Sequence, residues 1–215
     1  MSNKSYAQLL SSGLQQMGLE LSLQSQQQLI QYVELLAKWS KAYNLTAVRD
    51  PDEIVVQHIL DSLSVLPFLG KPKLILDVGT GAGLPGVPLA IARPDISFKL
   101  LDSQQKKVIF VQHVITSLKL TNISTQQVRV EAMLLEVAPE VIISRAFSSL
   151  ETYVNSISNL CDSSTTILAM KGRKQQVLSE QLQLPEKFNI VRIESITVPE
   201  LKAERCLVFL TKQEE

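Results

Sequence analysis

The sequence predicts an α/β fold: a seven-stranded, mostly parallel sheet with helices on both faces, closed by an antiparallel strand pair and preceded by a helical extension. Three observations predict it. After Gly70, short apolar runs rich in β-branched residues alternate with helical stretches. The run Leu74–Val78 leads directly into a loop carrying Gly79, Gly81, Gly83 and Gly86, after which an apolar segment resumes at Val87. The first seventy residues instead are rich in Gln, have helical periodicity, and carry only Gly13 and Gly18 before Gly70.

Each element follows from its own pattern. Leu29, Val33, Leu36 and Tyr43, with Tyr32 and Trp39 beside them, form one broad apolar helical face. Pro51, Asp52 and Glu53 make a helix entry, since Pro fits the first turn and acids favour the positive helix end. That helix carries Val56, Ile59, Leu63 and Leu66 inward and stops near Pro67. Strands are expected at 74–78, 97–102, 123–130, 141–144, 165–170, 188–197 and 205–210. The clearest intervening helix, 106–118, places Val108, Val111, Ile115 and Leu118 on one face. Only Val198–Glu204 separates the last two strands, which makes them an antiparallel pair. Residues 1–70 are thus expected to be a helical extension or cap, and 71–215 the α/β domain.

Bulk properties bound the function. A chain of 215 residues accommodates one sizeable domain with an elaboration. Lys plus Arg and Asp plus Glu are 21 each, a balance that weighs against tight binding to bare nucleic acid. Cys161 and Cys206 are the only cysteines, with no metal-type spacing, and no metal site is expected. No apolar run approaches the ~20 residues that cross a bilayer. A soluble, cytoplasmic monomer is the expectation.

The glycine loop admits two frames. Gly81-Ala82-Gly83-Leu84-Pro85-Gly86 is a literal G-x-G-x-x-G, the dinucleotide fingerprint, and Asp102 ends the next strand where an acid would bind ribose hydroxyls. In that motif, however, the first glycine directly follows the strand, and here Asp77 and Gly79 stand there. The other frame, Asp77-x-Gly79-x-Gly81-x-Gly83, resembles motif I of class I S-adenosylmethionine-dependent methyltransferases. An acid before the turn suits an ammonium group and would repel a pyrophosphate. Asp102 serves either ligand, so the residues favour the methyl donor and leave the dinucleotide open.

The wider sequence carries a more specific resemblance. Asp77 to Ile91, with its Pro85-Gly86-Val87-Pro88 extension, is similar to the glycine loop of the bacterial RsmG (GidB) family. So, in order, are Tyr43-Asn44-Leu45-Thr46-Ala47, His58 to Leu63, Leu101-Asp102-Ser103 with Lys106-Lys107, Ile143 to Phe147, Lys171-Gly172 and Glu204 to Val208. The family often has Gly and a Lys-Arg pair after Asp102-Ser103, where this chain has Gln104-Gln105-Lys106-Lys107. The resemblance implies S-adenosylmethionine-dependent methylation of N7 of one guanine, guanine-527, in 16S rRNA of the small ribosomal subunit.

By that resemblance the cofactor pocket draws on Asp77, Gly79, Gly81 and Leu84 of the loop, Asp102 for the ribose, Val130 and Glu131 near the adenine, and Arg145 between cofactor and reacting centre. Asn44, His58, Lys106, Lys107, Lys171 and Arg173 are the candidates for contact with the rRNA. Plainer readings stand beside these: a helix-start acid for Glu131, a surface ion pair for Arg145, a structural His58–Asp61 pair, and a solvated turn around Lys171, Arg173 and Lys174. The two opening lysines of the 106–118 helix oppose its dipole, which points to an anion close by. No catalytic base is assigned, because guanine N7 carries no proton.

Overall fold

The computed structural model describes residues 5–135, 137–145 and 147–214. Ala146, inside one of the blocks of resemblance, lies outside the described residues. The chain opens with α1 (Tyr6–Gln16) and α2 (Leu23–Tyr43). Ser22 caps α2 by accepting the Ser25 N–H at 3.0 Å, and Asn44 ends it in the left-handed conformation, φ 49°. The Asp50 carboxylate then takes the N–H groups of Asp52 and Glu53 at 3.0 and 3.2 Å, starting α3 (Pro51–Ile54) with Pro at its first turn.

From α3 the chain continues as a π-helical segment, Val55–Leu60, into α4 (Asp61–Leu63). The sequence predicts a simple helix with one buried stripe. The wider π turn instead buries Val55, Val56, Ile59 and Leu60 together with His58 and Asp61. This segment lies between α1 and α2 on one side and the sheet on the other, so it has apolar neighbours nearly all round.

The sheet consists of β1 (Leu74–Val78), β2 (Ser97–Asp102), β3 (Ile123–Gln127), β4 (Val141–Arg145), β5 (Thr166–Lys171), β6 (Phe188–Ile196) and β7 (Arg205–Lys212), in spatial order β3-β2-β1-β4-β5-β7-β6. All pairings are parallel except the two made by β7, which inserts antiparallel between β5 and β6. Helices α5 (Gly86–Ala92), α6 (Gln105–Ser117), α7 (Leu150–Ile157) and α8 (Lys174–Gln181) connect the strands. The strand expected over 123–130 stops at Gln127, and a 3-10 turn at Val130–Ala132 follows.

Period-two alternation along the strands assigns each side chain to one of two cores. Ile75, Phe98, Leu100, Ile143, Leu207 and Phe209 face the side covered by the first seventy residues, in one cluster with Leu10, Leu29, Tyr32, Leu36, Ile59 and Leu63. Leu76, Leu101, Ile142, Ile167, Val208 and Leu210 face the other side, with Tyr153, Val154 and Ile157 of α7. The same alternation points Asp77, Arg145 and Arg205 toward the cap side. The extension therefore shares its core with the sheet. It also reaches the glycine loop, where the fully buried Tyr32 donates its hydroxyl to the Ala82 carbonyl at 2.6 Å. Burial holds that phenol far above its ordinary pKa, so it stays a donor.

Replacing Tyr32 with Phe strands the buried Ala82 carbonyl and should lower unfolding free energy by about 1–3 kcal/mol. Urea denaturation checks this; a loss below about 0.5 kcal/mol would show that the hydroxyl does not tie the cap to the loop.

Candidate active site

β1 and β4 are neighbours whose following helices pack on opposite faces, and such a switch point opens a crevice beyond the carboxyl ends of the strands. The glycine loop lies across that crevice. Gly79 and Thr80 donate their N–H groups to the Leu101 carbonyl at 2.9 and 3.0 Å, tying the loop to the end of β2. Gly79 has φ 69°, and a Cβ there would stand 3.4 Å from the Phe147 ring, narrowing the crevice. Asp77, wholly buried, accepts the Thr80 hydroxyl at 2.6 Å and the Gly86 N–H at 2.9 Å, both through Oδ2. Its Oδ1 has no hydrogen-bond partner among the described residues.

Those bonds decide what the start of α5 can hold. The Gly86 N–H goes to Asp77, Val87 to the Gly83 carbonyl, and Leu89 to the Pro85 carbonyl, while Pro88 has no N–H. A protein carboxylate thus takes the first donor of α5, and no N–H in its opening turn remains to bind a pyrophosphate. The geometry thereby resolves the two frames of the loop against the dinucleotide.

Two adjoining cavities meet at this loop. One, of about 350 Å³, is lined by Val78, Leu101, Asp102, Gln104, Val130 and Glu131 among others. The second, of about 240 Å³, lies under the cap and is lined by Leu45, Thr46, His58, Thr80, Gly81, Ala82 and Leu84. Gly79, Lys107 and Arg145 line both and so mark the junction. The first cavity fits an adenosyl group: a size typical of small-ligand sites, walls that mix apolar side chains (Val78, Leu101, Val128, Val130, Phe147) with polar ones, and a carboxylate at the end of β2. Asp102 accepts Gly81 N–H at 2.9 Å on Oδ2 and Gln104 N–H at 2.8 Å on Oδ1, and each oxygen retains a lone pair for a ribose hydroxyl.

At the junction, Arg145 Nη1 donates to Asp61 Oδ2 and to the Gln57 carbonyl, each at 3.1 Å. Arg205 Nε donates to Asp61 Oδ1 at 2.8 Å. His58 lies beside them. Burial, and then the Arg145 charge, push its pKa down to about 4, so the ring is neutral at ordinary pH. The shorter contacts place its proton on Nδ1, toward the Gln57 carbonyl at 2.9 Å, leaving Nε2 to accept the Thr46 hydroxyl at 2.7 Å.

The expected site residues are distributed unevenly. Gly79, Gly81, Leu84, Asp102, Val130, Glu131, Arg145, His58 and Lys107 line one cavity or both. Asp77 lines neither: period two turns it under the cap, where its Oδ2 staples the loop and its Oδ1 is unpartnered among the described residues. The expected His58–Asp61 pair is replaced by Arg145, which takes the carboxylate. Lys171 is half-buried, and its ammonium pairs with Glu180 Oε2 at 2.9 Å on the face away from the cap. Asn44, Lys106 and Arg173 are exposed and outside both cavities. The anion near the start of α6 is Asp102, 3.9 Å from the Lys107 ammonium. Gln104, Phe147 and Thr46, also in the lining, were not among the expected site residues, although Thr46 and Phe147 lie in blocks of the resemblance. Arg205 did carry one, since strand alternation puts it on the same face as Arg145.

Comparison with known proteins adds the following. The family described as rRNA small subunit methyltransferase G matches residues 25–208. The chain is 47% identical over 205 residues to ribosomal RNA small subunit methyltransferase G of Alteromonas mediterranea, covering 95% of this chain and 96% of the relative. It is 46% identical to the protein of that name from Klebsiella pneumoniae, over 94% of this chain and 96% of the relative. Among solved structures, a SAM dependent methyltransferase from Aquifex aeolicus superposes with TM-score 0.57 at 14% identity, over 75% of this chain and 94% of that one. A ribosomal protein L11 methylase from Lactobacillus delbrueckii subsp. bulgaricus gives 0.54 at 14%, over 72% and 77%. At these identities the two structures bear on the fold alone.

Asp77 and His58 give the loop and cap opposite pH responses. Burial raises the Asp77 pKa from 3.8 to about 6, so its contribution to stability is full below 3.8 and lost as pH rises through 6, by about 3 kcal/mol. His58, lowered from 6.5 to about 4, contributes stability that is lost as pH falls through the same window. In the unmodified protein the two slopes oppose each other. Asp77→Asn keeps an acceptor for Thr80 and Gly86 and removes the buried charge. Denaturation between pH 4 and 6.5 should show that variant gaining stability relative to the parent as pH rises. A parallel curve would mean that Asp77 does not titrate there.

Proposed function

From the premise that the chain belongs to the family of rRNA small subunit methyltransferase G, we propose that it methylates N7 of guanine-527 in 16S rRNA of the assembling or assembled small ribosomal subunit. It acts as an S-adenosylmethionine-dependent methyltransferase of small-subunit rRNA. We further propose that it works as a cytoplasmic monomer. Among the described residues no helix is long and apolar enough to cross a membrane.

When bound, S-adenosylmethionine supplies a methyl group made electrophilic by its sulfonium. In this reading the adenosyl end occupies the larger cavity, with Asp102 accepting ribose hydroxyls and Val130 and Leu101 against the base, while Glu131 closes the rim. Gly79, Gly81 and Leu84 bring the backbone close to the reacting end. The target guanine enters the smaller cavity under the cap, and Arg145 spans the two. Lys106, Arg173 and Asn44, outside both, are left for the surrounding RNA backbone.

One observation carries the choice of N7. Among the described residues, the lining of the smaller cavity holds two cations, Lys107 and Arg145, no carboxylate, and one imidazole that is neutral with both nitrogens engaged. Such a site supplies donors and withholds a base. N7 is the guanine position that fits, because its lone pair attacks without losing a proton and its neighbour O6 accepts hydrogen bonds from a cation. Catalysis then comes from alignment and fixed electrostatics, to which Arg145 contributes by orienting O6 or an adjacent phosphate. The balanced net charge suits a folded ribonucleoprotein, whose shape adds selectivity, better than bare RNA.

Incubation with labelled cofactor and unmodified small subunits, followed by mapping of the labelled nucleotide, tests the reaction. Label at guanine-527 N7 is expected, with an isolated hairpin labelled poorly; equal labelling of the hairpin would remove the ribonucleoprotein requirement. Arg145→Ala should lower kcat by about 100-fold, as when an oriented donor is lost. Asp102→Ala should weaken S-adenosylhomocysteine binding by at least tenfold in calorimetry, the scale of a charged hydrogen bond. Undiminished affinity would take Asp102 out of the cofactor site.

A further inference from the structure

The buried carboxylate of Asp61 lines neither cavity, yet it binds two guanidiniums from two different strands. Asp61 is 2% exposed. Its Oδ2 holds Arg145 at 3.1 Å and its Oδ1 holds Arg205 at 2.8 Å. Arg145 comes from the end of β4 and Arg205 from the start of β7, both turned to the cap side by strand alternation. Asp61 comes from the turn just after the π-helical segment, so the cluster joins cap and sheet at one point.

Two consequences follow from this geometry. The first is orientation. Nη1 of Arg145 gives its two hydrogens to Asp61 and the Gln57 carbonyl, which fixes the guanidinium by one edge; Nη2 lies 3.5 Å from His58 Nδ1, and the side chain lines both cavities. The second is charge. Two guanidiniums, one carboxylate and a neutral imidazole sum to a single positive charge; without Asp61 the sum is two. That sum matters because S-adenosylmethionine is cationic at sulfur, and methylation at N7 passes the charge to the base. S-Adenosylhomocysteine has lost that charge and is otherwise nearly the same molecule.

We propose that Asp61 is the charge-compensating positioning residue of this site: it aims Arg145 at the junction of the cavities and cancels enough guanidinium charge for a cationic cofactor to bind there. The inference rests on the methyl-donor reading of the larger cavity. It assigns the discrimination between charged donor and neutral product to a residue outside the cofactor lining.

Equilibrium binding by calorimetry at pH 7.5, on the full chain without RNA, tests it with both ligands. Asp61→Asn should weaken S-adenosylmethionine about tenfold and S-adenosylhomocysteine no more than about threefold, since an uncompensated charge within a nanometre is felt only by the cation. Asp61→Glu should restore the ratio. Arg205→Met removes one cation instead and should shift the ratio the opposite way, by about threefold toward S-adenosylmethionine. A purely structural carboxylate would move both ligands equally. Equal loss in Asp61→Asn, or a ratio unmoved by Arg205→Met, overturns the proposal. Should Asp61→Asn not fold, the ratio in Arg205→Met decides alone. If the unmodified protein binds neither ligand, the methyl-donor reading falls first and this inference with it, an outcome distinct from the others.

Discussion

Asp77 sets the shape of the glycine loop, and the loop sets the two cavities. A carboxylate under the cap is costly, as its raised pKa shows, and two short hydrogen bonds offset only part of that cost. What it gains is a closed start to α5: the first donors of that helix are used up before any ligand arrives. Gly86 is glycine for the same reason, since a Cβ there would come within 2.7 Å of Asp77 Oδ2 and 2.8 Å of Leu100. An anion built into the fold converts a strand–loop–helix unit that would attract phosphate into one that does not.

The cap and the sheet meet through polar contacts placed in an otherwise apolar interface. Tyr32 holds the loop from α2, and Asp61 holds Arg145 and Arg205 from the start of α4. Both anchors sit within the larger of the two cores, so the apolar packing that docks the extension also fixes these groups. The extension is therefore part of the site's geometry. Its removal would expose the apolar face of the sheet and release both anchors together.

Much of this was legible in the sequence, and the omissions have physical causes. Strand Leu74–Val78, the switch-point loop, Asp102 and Arg145 could be read because they follow from period two, glycine spacing and the rule that ligands lie beyond strand ends. The hydrogen-bond partners of Asp77 were not legible, because spacing gives its position along the chain, whereas its partners follow from which face of the sheet it occupies. The ion pair of Lys171 was hidden for the same reason: one residue beyond Met170, it turns to the opposite face, where Glu180 of α8 takes it. The π-helical segment left no trace, since its signature is burial on more than one face and a single sequence shows that only as an apolar helix. Gln104 and Thr46 reach the cavities through loop conformation, which no periodicity describes.

The electrostatic design follows from the chemistry proposed for the site. A reaction that moves a positive charge from sulfur to a purine must hold a cation before and after the step, in a protein that also needs cations to meet RNA. Evenly spread positive charge would serve the second demand and oppose the first. The structure separates them: Lys107 stands near Asp102 and Arg145 near Asp61, while Lys106 and Arg173 remain exposed on the outside. The two cations shared by both cavities, Lys107 and Arg145, thus each have a carboxylate beside them, at 3.9 Å and 3.1 Å respectively. This pairing reconciles a net charge of zero with an RNA substrate: attraction is left to the rim, and the interior is held close to neutral.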